Sequence, residues 1–355
     1  MQHAQMIPDY DSGPPLSQFW HHTDDGPSAA AGLPPSVMSC LQTLAVSTED
    51  LTSGNTTTKL ADILERYSSL KTLHISGENF GLVQLYATPD STSRASATLV
   101  IREPAQQLRH ITLFNMNSEL ALSILRLTPR LENLTLFGID VDAPSTASFD
   151  LCLIHLRRLE LFSDFEPPSS DALDSNPFPM LRVVVLANPF VHAMRMLAQK
   201  NNIVFLQVRS YGLRLSTTKT ECFRRHPTRN EERERLVALL QSCTHLAHLQ
   251  LGGFHTADLS IIFGAISRPL ASLAVELLTR GTELTPRFMN NYLIAGHKTL
   301  SQLRFLSVPL IGGVVGADRK ALYTTCVQRR ICLTHLSDLE TILKQAGKLD
   351  AIYRG

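Results

Sequence analysis

The sequence has a single tryptophan in 355 residues, six cysteines with no C-x-x-C among them, and a net charge of only +1 from 33 basic and 32 acidic side chains. Each shortage excludes something. Without an excess of one sign there is no field to gather phosphate backbones or an anionic membrane surface, so nucleic acid is not an expected ligand. The scattered thiols Cys40, Cys152, Cys222, Cys243, Cys326 and Cys332 do not read as a disulfide framework in a chain of this length, and reduced thiols in an intracellular protein, cytoplasmic or nuclear, are expected. No apolar run approaches 18 residues, and Met1 to Tyr10 carries no basic stretch followed by an apolar one, so neither a membrane span nor secretion is expected.

Catalytic signatures are missing too. G-x-x-x-x-G-K-[ST], G-x-S-x-G and H-E-x-x-H do not occur, and Gly312-Gly313-Val-Val-Gly316 lacks the spacing of a dinucleotide loop and reads as a turn. Cys222, His226, Cys243 and His245 offer two sulfurs and two imidazoles, but their spacing does not match closed zinc sites; buried thiols and surface imidazoles are the simpler reading. The expectation is no enzyme, no metal and no small-molecule cofactor.

What is abundant is leucine, 56 residues of it. These leucines fall on one recurring phrase, L-x-x-L-x-L with aliphatic substitutions, found ten times. Five copies are clean: Leu41 to Val46, Leu70 to Ile75, Leu108 to Leu113, Leu131 to Leu136 and Leu156 to Leu161. Later copies are Leu181 to Leu186, Ile203 to Val208, Leu246 to Leu251, Leu270 to Val275 and Leu300 to Phe305. Their central apolar residues stand 29, 38, 23, 25, 25, 22, 43, 24 and 30 apart, at the long end of the range for leucine-rich repeats.

The last three residues of each phrase predict a short strand with alternate side chains turned inward. Between them, helices are predicted over Lys59–Tyr67, Glu119–Leu127, Val191–Lys200, Glu231–Gln241, Leu259–Ser267 and Arg287–His297, with Ser118, Asn230 and Thr285-Pro286 as start signals. A unit of this kind cannot bury its apolar face alone, so stacking is the folding step. The expected fold is α/β: an irregular, horseshoe-like leucine-rich repeat solenoid with a parallel sheet on the concave face and helices outside.

Three regions break the rhythm. Residues 1–35, rich in Pro, Ser, Gly and Asp, read as a mostly disordered arm. The repeat domain is expected over 36–310, with insertions near 81–103, either a strand pair or a broken repeat, and near 211–229. Residues 311–355 are expected to form a helical cap, with helices around Asp318–Arg329 and Leu336–Gln345.

Side chains between the inward leucines form the candidate binding surface. The central column reads His74, Thr112, Thr135, Glu160, Val185, Gln207, Gln250, Ala274 and Arg304; the column before it includes His110, Asn133, Arg158, Val183, Phe205, His248 and Gln302. The column after it places Phe114, Phe137 and Phe162 in three successive repeats. Either these form an exposed apolar ladder, which a partner would cover, or the strands end there and the rings turn inward. Met116 and Ile139 stand where the commonest repeat form has asparagine, so an apolar spine replaces that hydrogen-bonded turn. Arg224, Arg225 and Arg229 form the only compact basic cluster, read either as a loop for a phosphorylated or acidic partner or as a solvated face beside Glu231 to Arg235.

The stretches Leu60 to Ile75, Ile124 to Leu136 and Phe178 to Leu186 resemble ribonuclease-inhibitor-like leucine-rich repeat proteins, especially the degenerate repeats of fungal F-box proteins. The resemblance covers roughly residues 36–310. It implies a recognition module that captures a protein partner on its concave face, with Phe114, Phe137, Phe162, His110, Thr112, Asn133, Thr135, Arg158 and Glu160 as contacts. Leu33 to Met38 resembles the opening of an F-box but lacks its acidic residue, and Leu41 begins a repeat at once. The expectation is the substrate-recognition part of a ubiquitin-ligase adaptor without its F-box. The same horseshoe also suits a regulator of a partner enzyme, such as a GTPase activator presenting an arginine.

Overall fold

The computed structural model describes residues 42–47, 69–76, 106–114, 116, 121, 124–126, 128–137, 153–162, 178–187, 197, 202–209, 229–254, 256–277, 284–308, 316–334, 339–345, 347 and 352. The expected arm, the insertions over 81–103 and 211–228, the helix over Lys59–Tyr67, and Ser118, Ile139, Cys222, His226, Arg224 and Arg225 lie outside the described residues.

Eleven strands form one sheet in chain order. They are β1 (Thr43–Ser47), β2 (Thr72–Ser76), β3 (His110–Phe114), β4 (Asn133–Phe137), β5 (Arg158–Phe162), β6 (Val183–Ala187), β7 (Phe205–Arg209), β8 (His248–Phe254), β9 (Ser272–Leu277), β10 (Phe305–Ser307) and β11 (Cys332–Thr334). Every neighbouring pair is parallel. Among the described strands the order never reverses, so they form no switch point of the kind at which doubly wound α/β folds open a ligand crevice.

The phrase explains the register. Its middle leucines pair across the sheet, Leu73 with Ile111, Leu134, Leu159, Val184, Leu206, Leu249 and Leu273 in turn. Its leading leucines, Leu70, Leu108, Leu131, Leu156, Leu181, Leu246 and Leu270, are buried below them. Just before the strands from β2 to β10 the backbone is tied to the previous turn: Lys71 N–H donates to the Gln42 carbonyl, Arg109 to Lys71, Glu132 to Arg109, and so on through Arg304 to Ala271, at 2.8–2.9 Å; at β11 the first strand residue, Cys332, donates to Arg304 at 2.8 Å. Four helices pack behind: α1 (Arg229–Ser242), α2 (Thr256–Ala265), α3 (Leu284–Ile294) and α4 (Ala317–Gln328). They bring Leu236, Leu239, Leu259, Phe263, Met289, Leu293 and Leu322 into the same core as the strand leucines, and Met116 lies there too. The buried Thr299 on this side is paired, its Oγ1 donating to the Phe263 carbonyl at 3.0 Å.

The structure departs from expectation at five places. The tenth copy is displaced by three residues: Leu306, not Leu303, pairs with Leu273, so Ser307 and Phe305 take the front positions assigned to Arg304 and Gln302. The frame Leu303 to Val308 satisfies the phrase as well as Leu300 to Phe305 does, and periodicity alone does not choose between overlapping frames. The expected helical cap contains strand β11, whose pre-strand position holds Arg330, at φ 58, where other repeats have a leucine or, at Ile203, an isoleucine. Asn230 lies inside α1, not before it, and α3 begins at Leu284, ahead of Thr285-Pro286. Finally, a fifth helix, α5 (Leu339–Gln345), lies on the other face of the sheet, not at its end.

Candidate partner-binding face

The face opposite the core, called the front here, carries the side chains that alternate with the buried leucines. Register aligns them in three rows. His110, Asn133 and Arg158 form the first; His74, Thr112, Thr135 and Glu160 the second; Ser76, Phe114, Phe137 and Phe162 the third. The three phenylalanines therefore share the front face in direct register. Their ring centroids are 5.6 Å apart for Phe114 and Phe137 and 5.9 Å for Phe137 and Phe162, both pairs tilted, within the range where aromatic pairs attract. Phe137 is 40% exposed, Phe162 is half-buried, and Phe114 is buried at 8%.

The polar rows are wired together. Asn133 Nδ2 donates to His110 Nδ1 at 2.6 Å, which requires a ring neutral at that nitrogen. Thr135 Oγ1 donates to Glu160 Oε2 at 3.2 Å, and Arg158 Nε donates to Glu160 Oε1 at 2.5 Å. Burial holds His74 below its usual imidazole range, and neighbouring His110 adds to the effect. His110 is lowered as well, first by burial, with Glu132 opposing and Arg109 reinforcing. Glu132 and Arg109 themselves pair at 3.3 Å in the pre-strand turns.

From β6 onward the front changes character. Val183, Val185, Ala187, Phe205, Gln207, His248, Gln250, Ser272 and Ala274 are all buried. The cover is α5: Leu339, Ile342 and Leu343, with Ile352, pack on Val183, Phe205 and Ala274 as a cluster separate from the main core. Arg158 donates from both terminal nitrogens to Glu340, at 2.6 and 2.8 Å, and Leu339 N–H donates to Gln250 Oε1 at 2.9 Å. Beside this cover a cavity of about 320 Å³ is lined by His248, Ala271, Ser272, Gln302, Arg304 and Phe305.

Sequence columns thus place His110, Thr112, Asn133, Thr135, Arg158, Glu160 and the three phenylalanines together, as the register does. They do not anticipate that Arg158 is engaged by Glu340. Arg229 begins α1, and the basic side chain seen at work there is Arg233, paired with the buried Asp258 of α2 at 3.5 Å. Cys243 is buried in the main core, whereas His245 is exposed. Among the described residues no group of His, Cys, Asp or Glu side chains is arranged to hold a metal ion. None of the described helices is long and apolar enough to cross a membrane. No protein-family model matches the chain, and no curated protein sequence matches it.

Proposed function

We propose that this chain is a non-enzymatic, intracellular leucine-rich repeat protein whose front face captures a protein partner, in the manner of the substrate-recognition part of an F-box ubiquitin-ligase adaptor. The observation that carries the reading is the Phe114–Phe137–Phe162 ladder, stacked in register with its middle ring 40% exposed. Exposed aromatic rows flanked by polar groups are the usual anchors of protein interfaces, where a few buried rings supply most of the affinity. The repeated phrase supports the leucine-rich repeat assignment, because ten copies along one parallel sheet are what stacking of such units produces.

The test is affinity capture from a lysate of the source cells with the wild-type chain and with Phe137→Ser/Phe162→Ser. Phe114 is left intact because its burial makes it a stability position. Recovery of cullin-ligase components by wild type and their loss in the variant, at unchanged melting temperature, is the expected result. A stable partner of another kind refutes the adaptor role, and capture indifferent to the ladder refutes the site.

A further inference from the structure

Of α1 to α5, only α5 packs on the front of the sheet, where helical Ile352 joins it. It is seven residues long, two turns, and a helix this short does not hold its form in water without tertiary support. The sheet provides that support through two kinds of contact. Leu339, Ile342 and Leu343, at i, i+3 and i+4, form one apolar stripe laid on Val183, Phe205 and Ala274. Glu340 is gripped by both terminal nitrogens of Arg158, and the N–H of Leu339 is taken by Gln250. The apolar cluster is separate from the core that α1 to α4 share with the strands, so emptying it leaves that core intact. The charged grip lies at the margin, with side chains 17% and 23% exposed.

An amphipathic helix seated in an apolar groove with an acid at its edge is a recurring way of recognising a peptide. We propose that α5 is an intramolecular ligand, and that the front face over β5 to β9 is a helix-docking groove whose external partner is an amphipathic helix of the same chemistry. That partner carries an acidic residue for Arg158, with apolar residues one position before it and two and three positions after it. This rests on reading the front face as a partner surface and adds what the covered half takes. Because Arg158 stands in the row of His110 and Asn133 and on the same strand as Phe162, release of Glu340 takes away one of the two carboxylates that Arg158 holds beside the aromatic ladder and leaves it with Glu160. Opening the groove and changing the charge of the ladder's polar rim are then one event.

The experiment uses the full chain and a fluorescent peptide with the sequence of residues 336–348 as probe. Glu340→Arg sets a cation against Arg158 and is expected to release α5. Anisotropy titration should give at least tenfold tighter peptide binding to Glu340→Arg than to wild type, and hydrogen exchange should show α5 amides losing protection. Glu340→Gln should fall between them. The double exchange Arg158→Glu/Glu340→Arg should restore protection and expel the peptide. If α5 amides are released and the peptide still does not bind, the groove is no docking site. If they stay protected, or if both Glu340 variants fail to fold, α5 is a structural part and the proposal fails. Phe137→Ser placed in the Glu340→Arg chain should leave peptide affinity unchanged, so a ladder without a partner would overturn the adaptor reading and not this one.

Discussion

The front of the sheet over β3 to β5 and its continuation over β6 to β9 are built from the same phrase, yet one half is polar with a partly exposed aromatic edge and the other mixes apolar and polar side chains that are mostly buried. In the first, His110, Asn133 and Arg158 stand where the second has Val183, Phe205 and His248. Core-facing leucines are alike in both. The fold is therefore carried by one side of each strand, which leaves the other side free to differ from repeat to repeat. Strand β6 marks the change: Val183-Val-Val-Leu-Ala187 is buried at all five positions, as a parallel strand packed on both faces must be.

The largest effect expected from this contrast is at Phe205. Phe205→Ala should cost about 3–5 kcal/mol in urea denaturation because the ring is wholly enclosed, whereas Phe137→Ala should cost about 1 kcal/mol or less. Equal losses would erase the distinction between the halves. Next comes the tie across them. A double-mutant cycle on Arg158→Ala and Glu340→Ala should give a coupling of about 1 kcal/mol, reduced from a fully buried pair by partial exposure. Arg158→Ala alone should cost more than Glu340→Ala, because Glu160 loses its partner too. A coupling near zero would mean that α5 is held by its apolar stripe and the Leu339–Gln250 bond without help from the ion pair.

A smaller effect belongs to the polar half. His74 and His110 are both lowered from 6.5, so the unfolded chain binds protons before the folded chain does. Stability from these groups is complete above about pH 6.5 and is lost as pH falls through the lower folded values. Melting temperatures measured from pH 7.5 to 5.5 should decline, and His74→Gln/His110→Gln should flatten that decline; an unchanged slope would place the titration elsewhere. The smallest perturbation separates front from back at one end of the sheet. Cys332 is exposed on β11, while Cys243 and Cys326 are buried and the Cys326 thiol is pushed up to about 11 by burial and then by Cys332. Of these three, a thiol reagent at pH 8 should label Cys332 alone in the folded chain, with no change in melting temperature. Rapid labelling of Cys326 would show that α4 does not seal the core.

The back of the molecule was legible in the sequence because burial repeats a single residue type at a single spacing. Leu134 and Leu159 could be aligned from the phrase alone. Where the phrase fits twice, as between Leu300 and Val308, only strand pairing decides, and where it decays to Arg330-Ile-Cys-Leu333 the strand goes unread. The front was legible as columns but not as an environment. The apolar run through Val183 to Leu186 and Ile203 to Leu206 carried the sign of burial on two faces. Nothing local says that the cover is Leu339, Ile342 and Leu343, whose helical spacing is that of any helix packed behind the sheet.

The chain of backbone bonds from Gln42 to Cys332 fixes the start of every repeat against the start of the one before it, while the distance along the chain between starts ranges from 22 to 43 residues. Length can thus be added after a strand without disturbing the alignment of the next. The register shift at Gly252/Phe254, with Gly253 at φ 80, sits at the far end of β8, past these backbone bonds. Such a frame works as a ruler with free margins: segments can be lengthened, shortened or exchanged at one edge, and the three front rows will still meet their neighbours at the same marks.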